Sequence, residues 1–79
     1  MNKVHESYQE RLVEEYKILK KKYDNLHRFI VRHEAGTLGF EITYPIDLLK
    51  RQAKAMGEYL YILEVRAEIE DIDLDGEEA

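Results

Sequence analysis

The chain has 79 residues, no cysteine, no tryptophan, six tyrosines and a formal net charge of −5. These figures allow one small domain, exclude disulfides and cysteine-ligated zinc as staples, and argue against a general DNA binder. A chain this short gains little from a single core and ordinarily needs a metal, a disulfide or a partner subunit, so oligomerisation is the route left open.

The first element is predicted from about Val4 to His33. Leu12, Tyr16, Leu19, Tyr23, Leu26 and Ile30 recur in alternating steps of four and three, which keeps one apolar seam on one side of a helix. Ser7 and Glu10 match a Ser-x-x-Glu capping box, so a start at Ser7 is the alternative. Residues 34–44 read as a connector with Gly36 and Gly39, followed by the only proline, Pro45. Within it Leu38, Phe40, Ile42 and Tyr44 alternate with smaller or polar residues. That period of two fits either a strand mated to another subunit or a packed, extended loop.

The second helix is predicted over residues 45–70, with Pro45 at its first helical position and Asp47 in its first turn. Its seam is Leu49, Ala53, Met56, Leu60, Leu63 and Ala67, in the same steps as the first. Residues 1–70 therefore read as an all-α antiparallel helical hairpin with a connector of 10–12 residues. Residues 71–79 (DIDLDGEEA) read as a disordered acidic tail. Beside the main seam lie Leu48, Ala55, Tyr59, Ile62, Val65, Ile69 and Ile72, more apolar surface than one partner helix covers. Leaving such side chains in water forfeits about 1.5–3 kcal/mol for each large one. The expectation is a homo-oligomeric helical bundle; a broad core face folded against the connector and the N-terminal turn is the alternative.

Charge is unevenly spread. Lys17, Lys20, Lys21, Lys22, Arg28 and Arg32 face a single acid, Asp24, over their stretch, whereas eight acids from Glu64 onward face only Arg66. A hairpin turns this into a basic and an acidic pole. Lys50, Arg51 and Lys54 crowd the N-terminal turns of the second helix, where the helix dipole favours anions. They either pair with Glu34, Glu41, Asp47 or a neighbour's tail, or they hold an anion such as phosphate. Tyr8 and Arg11, three apart, share a helix face and offer a stacking ring beside a phosphate-binding fork. An interface tyrosine with an arginine paired to Glu14 or Glu15 is the plainer alternative. The candidate ligand-binding residues are thus Tyr8 and Arg11, with Lys50, Arg51 or Lys54 from the same or another subunit.

Catalytic chemistry has little to work with. Ser7 is the only serine, and His5, His27 and His33 have no triad or metal-ligand spacing. The carboxylates sit at solvated helix positions without an apolar pocket to raise a pKa. No enzyme, metal or cofactor is expected. No apolar run approaches the roughly 20 residues of a membrane span, and no signal-peptide pattern opens the chain, so a soluble intracellular protein is expected.

Two segments resemble a family of small phage-encoded proteins named after a reading frame of a crAss-like phage. Tyr8, Arg11, Glu15, Tyr16 and Leu19 match its opening motif. Leu48, Leu49, Lys50, Gln52, Ala55, Met56 and Tyr59 match the start of its second helix. The hairpin architecture is also similar to anti-CBASS and anti-Thoeris sponge proteins, oligomers that stack nucleobases on aromatic rings and hold phosphates with Lys or Arg. That similarity implies a phage anti-defence protein of the host cytoplasm, sequestering a cyclic dinucleotide or related signal without cleaving it. From a different class, the alternative is a small structural or inhibitory protein that binds a host protein through its acidic and apolar helix faces.

Overall fold

In a computed structural model, which describes residues 3–75 with side chains from Tyr8 onward, the chain forms two helices. They are α1 (Lys3–Ala35) and α2 (Ile46–Ile69), and they pack against each other as an antiparallel hairpin. The molecule measures 53 × 24 × 17 Å. Helix α1 already runs at Lys3, so Ser7 lies inside it rather than at its start. The side chain of Ser7, and with it the capping-box interaction, lies outside the described residues.

A Schellman turn stops α1. Thr37 N–H donates to Arg32 C=O (2.9 Å) and Gly36 N–H to His33 C=O (3.1 Å), with Gly36 at φ 77°. Glycine tolerates that left-handed conformation without a Cβ penalty. The connector then forms bends rather than a strand, and Phe40 tilts against Phe29 with ring centroids 6.2 Å apart. Pro45 is the N-cap of α2, one place earlier than expected, with φ −64° and ψ 136°. Its carbonyl accepts from Leu48 N–H at 3.1 Å.

The predicted seams meet. Leu12, Leu60, Leu63 and Ala67 are buried, Leu63 completely, and Tyr16 and Leu19 pack against this centre. Further along, the Tyr23 ring passes α2 at Gly57; a Cβ on that glycine would stand 3.6 Å from Tyr23 Cε1.

The expected disordered tail does not hold for residues 71–75. A second Schellman turn closes α2: Ile72 N–H donates to Ala67 C=O (2.8 Å) and Asp71 N–H to Glu68 C=O (3.3 Å), with Asp71 at φ 58°. It reverses the chain so that Ile72 and Leu74 lie against the Leu12, Leu63 and Ala67 cluster. Apolar side chains in alternation with Asp71, Asp73 and Asp75 let one edge of the segment meet the core while the other stays wet. Residues 76–79 lie outside the described residues. Ile72 therefore leaves the second apolar stripe. The rest of it stays exposed: Leu48 (52%), Tyr59 (42%), Ile62 (45%), Val65 (38%) and Ile69 (77%).

Candidate ligand-binding site

The antiparallel register decides which candidate residues can meet. Tyr8 reaches Arg66 and Glu70 at one end of the hairpin, and Lys50 reaches Glu34 at the other. About 39 Å of helix, at 1.5 Å per residue, separates Tyr8 from Glu34. Tyr8 and Arg11 therefore cannot share one site with Lys50, Arg51 and Lys54 of the same subunit.

At the Tyr8 end, the sequence indicated the tyrosine but missed its partner. Arg66 Nη2 donates to the Tyr8 hydroxyl at 2.7 Å, and that hydroxyl donates to Glu70 Oε2 at 3.2 Å. The guanidinium carbon also stands 6.0 Å from the centre of the Tyr8 ring, within the range of a cation–π contact. Hydrogen bonding to Tyr8, before any other cause, holds the Arg66 guanidinium above its ordinary pKa. Arg11 is exposed beside this pair. The signal for Arg66 was present in two facts: it is the lone cation among the acids after Glu64, and the seam register places it opposite Tyr8.

At the other end Lys50 pairs with Glu34, one of the partners foreseen. Their mutual hydrogen bond, first among the causes, lowers the Glu34 pKa and raises that of Lys50. Arg51 and Lys54 are exposed. Three residues after Leu48 and four before Ala55, Arg51 borders the exposed apolar stripe; Lys54 sits on the flank shared with Lys50.

Between the ends, the face carrying residues 71–75 holds shallow hollows. The one beside Ile72 is lined by Glu10, Glu14, Asp71 and Asp73 against Lys17, a charge balance that repels an anion. The next, under Leu74, gathers Lys17, Lys20, Lys21 and Arg28 near Tyr16. Its cations are offset by Asp75 and by Asp24, which pairs with Lys20 at 3.1 Å. The Tyr16 hydroxyl there donates to Glu64 Oε2 at 2.9 Å; burial first, then this bond, pushes its pKa up to about 12. An aromatic ring with an adjoining guanidinium is thus found at Tyr8–Arg66 and not in the hollows. Among the described residues no group of three His, Cys, Asp or Glu could hold a metal ion, and no helix is long and apolar enough to cross a membrane.

A family model described as Sequestin matches residues 6–69, and the chain belongs to that family. The match spans both helices and the connector. The family name points to a sequestering role; it specifies neither a phage source nor a ligand. No curated protein and no solved structure matches the chain.

Proposed function

We propose that this member of the Sequestin family is a phage anti-defence protein of the host cytoplasm, which sequesters a cyclic dinucleotide or related signalling nucleotide without cleaving it. The observation that carries this reading is the Tyr8–Arg66 pair, a stacking surface joined to a phosphate-binding fork, with Arg11 exposed on the same flank. A charge-assisted contact to phosphate contributes roughly 1.5–3 kcal/mol and base stacking about 1–3 kcal/mol. One such pair gives weak binding. A pair joined by a further cation across a subunit contact, already formed before the ligand arrives, gives tighter binding because little ordering is left to do. Release of the ligand intact follows from a site that, among the described residues, supplies stacking and charge but no nucleophile with an adjoining base.

Calorimetry against cyclic di- and trinucleotides and cyclic ADP-ribose isomers tests this, followed by heating the complex and recovering the ligand by mass spectrometry. At least one compound should bind, should return unchanged, and should lose tenfold or more of its affinity with Tyr8→Ala or Arg66→Ala. No heat with any member of the panel sinks the nucleotide reading.

The crowded carboxylates Glu64, Glu68, Glu70, Asp71 and Asp73 support a second reading, a host protein bound through a basic patch. Asp71→Asn with Asp73→Asn should then abolish capture of that protein while leaving any nucleotide binding intact.

A further inference from the structure

We infer that two copies pair antiparallel through the exposed stripe of α2, and that this pairing completes the site by setting the partner's Arg51 beside Tyr8, Arg11 and Arg66. The ligand assignment rests on the nucleotide reading above; the pairing does not.

Three observations carry the pairing. First, Leu48, Ala55, Ile62 and Ile69 are spaced by seven, so they form one row about 32 Å long on a helix that rises 1.5 Å per residue. All four are exposed. Second, the row complements itself when reversed. With a two-fold axis between Glu58 and Tyr59, Leu48 meets the partner's Ile69 and Ala55 meets the partner's Ile62. A small residue then faces a large one near the centre, and two large ones meet at each end. Such an isologous contact closes on itself and does not propagate into fibres. Third, the charges agree. Reversal lays the basic end of one copy on the acidic end of the other, with Arg51 opposite the other copy's Arg66 and one helical turn from its Glu70, whereas parallel pairing stacks acid on acid and base on base. Electrostatic complementarity selects register and orientation in this way.

The opposite long side is not available for the same contact, because Ile72 and Leu74 occupy it. On the open side Arg51 borders the row and Lys50 is engaged by Glu34. Arg51 is therefore the cation that reversal delivers to the Tyr8 end. The roughly 22 Å of α2 that separates Arg51 from Arg66 within one subunit is closed by the second copy.

The absence of cysteine makes the register directly readable. Four single variants are made: Leu48→Cys, Ala55→Cys, Ile62→Cys and Ile69→Cys. Under oxidation, mixing the 48 and 69 variants, or the 55 and 62 variants, should give covalent dimers, while each variant alone should not. Variants that cross-link with themselves instead would establish parallel pairing and overturn the proposal. Light scattering of the unmodified chain should give twice the chain mass at micromolar concentration, and Ile62→Glu should give a monomer of unchanged helicity. A monomeric parent chain overturns the proposal as well. The shared site is read by complementation. Tyr8→Ala and Arg51→Ala copies, each at least tenfold weaker alone in binding the nucleotide found by the panel, should recover one intact site per mixed dimer. Dimerisation in the stated register with no heat from any nucleotide leaves the pairing standing and removes the function. Binding by dimers that Arg51→Ala does not weaken leaves the function standing and removes the shared site.

Discussion

On one long side of the helix pair, the chain returns through the turn at Asp71 and lays Ile72 and Leu74 on the cluster of Leu12, Leu63 and Ala67. On the other side no described segment returns, and Ile62 and Ile69 stay 45% and 77% exposed. Both sides begin with surplus apolar surface on the same helices. A five-residue segment suffices for the first because the core there is short and the turn aims the segment at it. The second side runs the length of α2, farther than any described segment of the chain reaches. The described residues thus cover one side of the helix pair, and the side they leave open is the one bordered by Tyr8, Arg66 and Arg51.

The largest expected effect comes from removing the seam that both sides share. Leu63→Ala empties a fully buried position and should cost about 2–5 kcal/mol. For a 79-residue chain that is enough to abolish a cooperative thermal transition by circular dichroism. A transition that survives unchanged would mean the helices are held by something other than the seam.

Next in size is the covered side alone. Deleting residues 71–79 should lower unfolding free energy in urea by about 2 kcal/mol, from two half-buried aliphatic side chains at roughly 1.5–3 kcal/mol each when fully buried. Ile62→Ser on the open side, in dilute monomer, should change it by less than about 0.5 kcal/mol, as surface substitutions do. Equal losses from the two changes would erase the distinction between the sides.

A smaller change sharpens the picture of the seam between them. At Gly57 an added methyl makes an ordinary contact with Tyr23. Gly57→Ala should therefore stabilise the chain by about 0.5–1 kcal/mol through helix propensity. A lower melting temperature would show that α1 and α2 approach more closely there than the Tyr23 contact implies.

A further effect is confined to alkaline pH and to the covered side. The folded chain raises the Tyr16 pKa from 10.0 to about 12, so the neutral phenol is the form the fold favours. This contribution to stability is complete below about pH 10 and is lost as pH rises towards 12. Phenolate absorbance should show one tyrosine titrating last, and Tyr16→Phe should remove that component and reduce the fall in melting temperature over the same window.

The hairpin was legible in the sequence because both seams keep a helical period and the glycines and proline mark the connector. The return of residues 71–75 was not, because acids and a nearby glycine resemble a frayed end, although Ile72 and Leu74 alternating with three aspartates carried the pattern. Asp71 adopts the left-handed conformation usually left to glycine, so no C-cap glycine marked the turn. The candidate site was half legible. A tyrosine beside a cation was foreseen, but choosing Arg11 used only neighbours along one helix, and finding Arg66 required the register between two.

The connector has a kinetic consequence. Closing a loop of about ten residues takes roughly 10–100 ns, and each later helix–helix contact extends a pairing already begun. Phe29 on Phe40 and Lys50 on Glu34 form next to that loop, Tyr23 at Gly57 follows, and Tyr8 with Arg66 closes farthest from it. The end that carries the candidate site is thus the last to zip, and the buried cluster of Leu12, Leu63 and Ala67 beside it holds it once closed. A ligand or a second copy bound there acts on the late end of assembly.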